Sequence, residues 1–268
     1  MGYEHPPTVN FAIVLGLGEI GKPIYGRIKE LNPGRKVTGY DPRFNDALPP
    51  EEPYMGMHIC FPETFGFVDI IQEYVERYTP DCVIIHSTVS PGMTQRLNDT
   101  LDVRGGVYYS PVRGNVKDGM GWSLVVYTKY VAGYASKHNQ DTVVLYLSRC
   151  GFRPKWTGDP ESLEWAKLLD LAWYATNIAF FQEAERILED RDLSWEVLEE
   201  FMKSTQVESE GKVQRSVFYG GHIGGHCVIP AIEKILPHVS VPLFWEVLKS
   251  NIHRKYELVQ GKPSHHPE

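Results

Sequence analysis

The feature that most constrains this 268-residue chain is a set of three glycines, Gly16, Gly18 and Gly21, placed directly behind the apolar run Asn10 to Leu15 and at the head of the helix-like stretch Ile20 to Leu31. A strand that ends in glycine and enters a helix within a few residues opens a βα unit whose turn must be tight. Gly16 makes that turn, Gly18 lets a pyrophosphate approach the backbone, and Gly21 lets the helix pack on the strand. The helix N-terminus then offers free N–H groups and the positive end of its dipole to phosphate. Glu19 and Ile20, inside the turn, are placed with the glycines among the cofactor contacts. Asp41 ends the second strand, Lys36 to Tyr40, where a carboxylate accepts hydrogen bonds from both ribose hydroxyls and repels a 2′-phosphate. NAD is thereby favoured over NADP. Arg43 pulls the other way, because a guanidinium just past the acid holds a phosphate or stacks on adenine. Any other adenosine-containing cofactor presents the same ribose diol to Asp41.

Behind the fingerprint, strand-like and helix-like runs alternate. Strands are expected at Met57 to Cys60, Cys82 to His86, Val107 to Ser110, Leu124 to Tyr127 and Phe152 to Trp156, and helices at Phe65 to Tyr78, Pro91 to Leu101 and Asp141 to Arg149. The order predicts an α/β fold, a Rossmann-type doubly wound parallel sheet covered on both faces, over residues 1–156. Residues 157–268 read as an all-helical domain with a long central helix, Leu163 to Leu188, followed by helices at Ser194 to Lys203 and Val241 to Val259. The long helix is apolar nearly all round between Leu168 and Phe181, which predicts burial on more than one side. A homodimer through the 163–188 helix is one way to supply the second partner. Gly261 to Glu268 reads as a frayed tail.

With 27 Lys and Arg against 34 Asp and Glu, a net charge of −7 and no clustered basic run, the chain lacks the footprint of a nucleic-acid or membrane-surface binder. No apolar run approaches the roughly 20 residues that span a bilayer. Met1 to Asn10 has no basic segment followed by an apolar one, so a cytoplasmic protein is expected. Cys60, Cys82, Cys150 and Cys227 are scattered without paired spacing, as thiols in a reducing compartment are. His222, His226 and Cys227 raise a metal question, but no second cluster completes a ligand set, and none is expected.

Three further segments carry a resemblance. His86-Ser87-Thr88-Val89-Ser90-Pro91-Gly92, the stretch from Glu164-Trp165-Ala166-Lys167 to Gln182-Glu183, and Gly224-Gly225-His226-Cys227-Val228 follow the glycine turn and Tyr40-Asp41 in order over nearly the whole chain. Together they resemble the UDP-glucose/GDP-mannose dehydrogenase family. The resemblance implies an NAD-dependent oxidoreductase in which Thr88, grouped here with Pro62, lies on the cofactor, Lys167 is the catalytic lysine, the long helix dimerises and Cys227 is a nucleophile. Three positions depart: Leu171, Ala231 and Val112 stand where the family has Asn, Asp and Glu. The chain also stops near Glu268, where family members continue into a domain that binds the nucleotide of the sugar nucleotide. Oxidation of a UDP-sugar is therefore not expected, and a small polar or anionic alcohol or aldehyde substrate is.

Hydride transfer from an alcohol needs a base, and transfer to a carbonyl needs an acid or cation at the developing oxyanion. Lys167 serves either way, with its pKa lowered by desolvation. Lys167, Asp170, Tyr174 and Asn177 share an arc of about 80° on the long helix, so Asp170 or Tyr174 is placed to replace the absent Asn. Protein backbone is the competing partner for that stripe. Cys227 suits attack on an aldehyde, against the alternative of an inert thiol, and His226 points at substrate or braces its loop. The glycines Gly220 to Gly225 suit a loop that wraps a ligand or simply turns tightly. Arg113 and Lys117 are either substrate binders or solvated cations. Two other classes remain open at this stage: a non-catalytic dinucleotide-binding regulatory protein, and a group-transfer enzyme using another adenosine-containing cofactor.

Overall fold

A computed structural model describes residues 10–45, 47–114 and 119–262. The chain forms two compact units, Met1–Lys167 and Leu168–Glu268. In the first, β1 (Asn10–Leu15), α1 (Gly21–Leu31), β2 (Val37–Tyr40), β3 (Tyr54–Ile59), α2 (Phe67–Tyr78), β4 (Cys82–Ile85), α3 (Met93–Thr100), β5 (Val107–Tyr109), α4 (Met120–Val126), β6 (Lys129–Gly133), α5 (Lys137–Arg149) and β7 (Pro154–Gly158) follow in order. The seven strands lie β2-β1-β3-β4-β5-β6-β7 in one sheet. The strand order reverses between β1 and β3, which is where the crevice of a doubly wound sheet opens.

The strands are apolar without alternation because both faces are covered. Successive side chains point to opposite faces: Ile13, Leu15, Ile59, Val83 and Ile85 join the core under α2 and α3. Ala12, Val14 and Ile84 join the core under α1, α4 and α5, with Ile24, Ile28, Leu124 and Leu147. The Rossmann-type α/β expectation is met, with one correction to the all-parallel sheet: β5 and β6 run antiparallel, with Tyr109 opposite Ala132.

Two elements differ from the sequence reading. Leu124 to Tyr127, expected as a strand, ends α4, and the strand is Lys129–Gly133. Local β propensity of Leu124, Val125 and Val126 yields to packing, since Met120, Ser123 and Leu124, at helical spacing, are the buried side chains of that stretch. An additional helix, α8 (Val228–Ile235), follows the glycine-rich loop.

In the second unit the long helix α6 (Pro160–Glu189), which begins in the first, is joined by α7 (Trp195–Glu208), α8 and α9 (Pro242–Val259). Within the single chain α6 is packed on one side: Leu169, Trp173, Tyr174, Phe180 and Ile187 are exposed, so a second face is not covered by the chain itself. The inward stripe is Leu168, Ala172, Ala175, Ala179, Phe181 and Gln182, so one face is packed, while the aromatic one, where Trp173 and Tyr174 meet Phe218, stays largely exposed. Among the described residues no helix is long and apolar enough to cross a membrane.

Gly56 in β3 admits the ring of Tyr146 from α5, and a Cβ there would lie 2.6 Å from the ring's Cε1 and closer still to its hydroxyl oxygen. Gly56→Ala therefore displaces Tyr146. The expected loss is about 1–3 kcal/mol of unfolding free energy in denaturant titration, as for an overpacked core, and Tyr146→Leu restores part of it in the double variant; unchanged stability in the single variant contradicts the packing described.

Candidate functional site

The carboxyl ends of β1, β2, β3 and β4 gather the residues that the sequence singles out for the cofactor in the first unit. Gly16 has φ +87°, and a Cβ on it would stand 2.8 Å from the Phe61 amide nitrogen of the β3–α2 loop. A Cβ on Gly21 would collide with the Gly16 carbonyl oxygen, and its next neighbour, the Cys60 Cβ, lies at 2.9 Å. Both glycines are thus demanded by backbone approach, and that approach brings α1 against the end of β1. The first-turn N–H groups of a helix have no intrahelical acceptors. At α1 no side chain caps the N-terminus and no acidic residue sits in the first turn; Lys22 N and Ile24 N donate to the Gly18 and Ile20 carbonyls and Pro23 has no N–H, so the amides placed to meet an anion are those of the turn just ahead of the helix, residues 18–21. The caps of α5 and α7 differ, being supplied by Ser136 and Ser194. Glu19 is exposed at the lip, while Leu17, Gly18 and Ile20 are half-buried.

Asp41 follows β2 and is 2% exposed. Its Oδ2 accepts from the Leu17 amide at 2.8 Å and from Arg43 Nη2 at 2.7 Å, and its Oδ1 from Arg43 N and Arg43 Nε, each at 3.0 Å. The Arg43 hydrogen bond, the largest contribution, holds the Asp41 carboxyl down to about 2 against the opposing effect of burial.

Two carboxylates pin the loop that carries Thr88. Glu63 accepts from Ser90 N at 2.7 Å and from Ser90 Oγ at 3.1 Å, and Ser87 Oγ donates to the Phe61 carbonyl at 2.6 Å. These bonds lock the loop of Pro62 to the loop of Thr88. From α6, the fully buried Glu164 accepts from Gly92 N at 2.7 Å and from Thr94 N and Oγ1 at 2.8 and 2.5 Å, so it caps α3 from outside. Burial raises its pKa and the bonds from Thr94 and Gly92 oppose the rise. Lys167, half-buried, follows Glu164 by three residues and so shares its side of α6.

Beneath this edge runs a buried polar chain that the sequence did not announce. His58 Nε2 meets Tyr146 Oη at 2.8 Å, His58 Nδ1 meets His86 Nε2 at 2.8 Å, and His86 Nδ1 meets the Ser110 carbonyl at 2.9 Å. Lys129 Nζ donates to that same carbonyl and to the Pro111 carbonyl at 2.9 Å. A carbonyl only accepts, so His86 donates through Nδ1, its Nε2 accepts from His58 Nδ1–H, and His58 Nε2 accepts from Tyr146. Burial pushes His58 down to about 3 and His86 well below its ordinary value, with the Lys129 charge adding to both. Lys129 is itself lowered, by burial first and with the charge of Lys167 contributing. The Lys167 charge therefore reaches Lys129, whose ammonium sits where β5 ends.

In the second unit the glycine-rich loop is held from below. Asn251 of α9 accepts from Ile223 N at 2.7 Å and donates to Ile223 O at 3.0 Å, and Gln182 of α6 donates to Gly221 O at 2.7 Å. A Cβ on Gly220 would come to 2.9 Å from Gln182 N, which fixes glycine there. Deeper, Arg254 Nη2 pairs with Glu185 Oε2 at 2.6 Å with both side chains almost fully buried. Cys227 itself is exposed at the N-terminus of α8, and His222 and His226 are exposed beside it. The other three cysteines are buried, and burial drives Cys60 and Cys82 up to about 12.

The structure therefore brings Gly16, Gly18, Gly21, Asp41, Arg43, Pro62 and Thr88 to one edge of one sheet, with Lys167 in the same unit, and places Cys227 and His226 in the other. Asp170 and Tyr174 are exposed, and Asn177 spends its amide on the Trp173 carbonyl at 2.7 Å, so the polar stripe on α6 is not a buried one. Arg113 stacks on Tyr127 and Tyr130, at 5.3 and 5.6 Å from the ring centres. Lys117 lies outside the described residues. Among those described, no group of three or more His, Cys, Asp or Glu is arranged to hold a metal ion. Sequence reading missed His58, Lys129, Glu63, Asn251 and Arg254. His58 and Lys129 were visible only as polar interruptions of strand-like runs, and Asn251 carried no signal.

No family model and no curated protein matches the sequence. Solved structures do share the fold. A UDP-D-ManNAc dehydrogenase from Pyrococcus horikoshii superposes with a TM-score of 0.74 at 19% identity, over 93% of this chain and 70% of that one. A UDP-glucose dehydrogenase from the archaeon Pyrobaculum islandicum gives 0.70 at 14% identity, over 97% and 72%. A 3-hydroxyisobutyrate dehydrogenase from Mycobacterium tuberculosis gives 0.65 at 15% identity, over 93% and 94%. Two of the three are UDP-sugar dehydrogenases, the class that the motifs resemble, and the likeness is one of fold.

The buried histidines carry a pH consequence. Their native pKa values lie below the unfolded value near 6.5, so the unfolded chain takes up more protons than the native one as pH falls below 6.5, a window that for His58 reaches down to about 3. Their contribution to stability is whole above that window and declines within it by about 1.4 kcal/mol per pH unit for each histidine. Nitrogen-15 NMR of the native protein should show both rings neutral and protonated on Nδ1 down to pH 5; titration of either ring between pH 5 and 8 contradicts the chain of bonds.

Proposed function

We propose that this protein is an oxidoreductase that binds a nicotinamide dinucleotide, NAD in preference to NADP, and transfers hydride to or from a small polar or anionic alcohol or aldehyde. One observation carries the reading: the uncapped N-terminus of α1, brought against the end of β1 by Gly16 and Gly21 at the point where the strand order reverses, with the buried carboxylate of Asp41 beside it. The turn amides of residues 18–21 and the dipole end of α1 face the pyrophosphate. Asp41 takes the ribose hydroxyls, and Glu19, Ile20, Pro62 and Thr88 complete the seat. The dehydrogenase fold shared with the solved structures supports the same conclusion.

Lys167 is assigned the acid/base or oxyanion role. It rides on the helix whose Glu164 is bonded to the Thr88 loop, so its placement relative to that loop is fixed through hydrogen bonds rather than through a flexible connection. Cys227, exposed at the head of α8, is read as a thiol nucleophile for an aldehyde, and His226 as its polar neighbour. The protein is taken to work in the cytoplasm. Assay of NAD reduction across hydroxy acids, sugars and aldehydes, followed by nicotinamide absorbance, should find a substrate for which Lys167→Ala lowers kcat by about 10²–10⁴-fold, the range of a lost general acid or base. Undiminished turnover in that variant removes Lys167 from the chemistry.

A second copy of the chain is the proposed cover for the uncovered face of α6. Trp173, Phe180 and Ile187 recur at seven-residue spacing along a 30-residue helix and are all exposed, the pattern of a helix–helix seam. Sedimentation velocity should report a dimer for the native chain and a monomer for Trp173→Asp/Phe180→Asp, whereas a monomeric native chain at micromolar concentration contradicts the seam.

A further inference from the structure

We propose that Arg43 is a latch on the ribose subsite that selects between cofactors: it stands in for the two ribose hydroxyls while the site is empty, opposes NAD by having to leave, and supports NADP once it has left. The inference rests on the dinucleotide reading above and concerns the same seat.

The argument begins with counting. A carboxylate offers four acceptor positions, and those of Asp41 are filled by Leu17 N, Arg43 N, Arg43 Nε and Arg43 Nη2 at 2.7–3.0 Å. Two of these donors are backbone amides set by the fold. The Arg43 amide is held in place because the turn closes on itself, Phe44 N and Asn45 N donating to the Asp41 carbonyl at 2.9 and 3.0 Å. The other two come from the guanidinium of a side chain that is 65% exposed and free to swing outward. A ribose with free 2′ and 3′ hydroxyls brings two donors. Replacing the guanidinium by the diol leaves Asp41 fully bonded, so NAD displaces Arg43 without orphaning a buried charge.

The guanidinium also overhangs the phosphate turn. A Cβ built on Gly18 would meet Arg43 Nη2 at 3.4 Å, so the latched side chain occupies the approach to the glycine that the pyrophosphate uses. A 2′-phosphorylated ribose changes the exchange. It removes one hydroxyl donor and sets a dianion beside Asp41, a repulsion that a nearby cation must offset. Arg43, released but tethered two residues from Asp41, is that cation, and its planar fork matches phosphate oxygens. In the latched position the guanidinium carbon already lies 5.3 Å from the ring centre of the exposed Phe44, which offers the side chain an apolar surface beside the site as it leaves Asp41.

Arg43 therefore acts with opposite sign on the two cofactors, which a purely structural residue would not. Isothermal titration of the 268-residue chain and of Arg43→Ala with NAD and with NADP reads this directly, with circular dichroism confirming that the exposed substitution leaves the fold intact. Arg43→Ala should bind NAD about two- to tenfold more tightly, the scale of an ion pair with one exposed partner. It should bind NADP at least tenfold more weakly. Arg43→Lys, a cation without the fork, should fall between for NAD and keep most of the NADP affinity. Affinities that shift in the same direction for both cofactors, or do not shift, overturn the latch while leaving the dinucleotide site standing. Binding of neither dinucleotide to either protein overturns the site assignment, and the latch with it.

Discussion

The collision that forbids any side chain at Gly21 organises this protein. Because α1 must start hard against the Gly16 carbonyl, the first helix leaves the sheet at a fixed point, its amide end aimed over the carboxyl edge of β1. Everything assigned to cofactor binding is registered to that point. The Leu17 amide is spent on Asp41, which joins the end of β2 to the turn. Gly16 abuts Phe61, which brings in the loop of Pro62, and Ser87 bonded to Phe61 brings in the loop of Thr88. Glu164 extends the sequence of bonds to the helix of Lys167. A relay of backbone contacts and buried carboxylates thus replaces a single packed pocket as the device that sets the site.

Two kinds of buried polar structure support the two units, and they differ in cost. The Tyr146–His58–His86 chain is neutral, so it is satisfied by choice of tautomer and costs no charge desolvation; only Lys129 brings a charge, and its pKa falls in response. In the second unit Arg254 and Glu185 are charged and almost fully enclosed. Removing one partner of such a pair costs about 3–5 kcal/mol, because the other is left alone. That pair lies under the Gln182 and Asn251 bonds that hold the glycine-rich loop, so the loop before Cys227 is anchored to a rigid base while its outer residues remain exposed.

Much of the first unit was legible because its signals are local. Glycine at a forced turn, an acid at the end of the second strand and apolar runs of strand length each reflect a nearest-neighbour constraint. What escaped depended on partners far along the chain. Leu124, Val125 and Val126 read as a strand by propensity, yet Met120, Ser123 and Leu124 face α1 and the sheet, and that packing selects a helix. α8 was hidden by Pro230 in its first turn, although Val228, Ala231, Ile232 and Ile235 follow helical spacing. His58 and Lys129 look misplaced in a strand until His86, Tyr146 and the Ser110 carbonyl are placed around them. The long helix was expected to be enclosed. Its apolar content was read correctly, but a sequence does not say whether a second face is covered by its own chain or by another.

The central claim is that the mouth of α1 receives a pyrophosphate with the adenosine ribose at Asp41. Hydrogen–deuterium exchange with and without saturating NAD tests this most directly, since it reads the amides themselves. Slowed exchange concentrated in residues 17–24 and 41–45 is the predicted result. Exchange in those segments that NAD leaves unchanged contradicts the account.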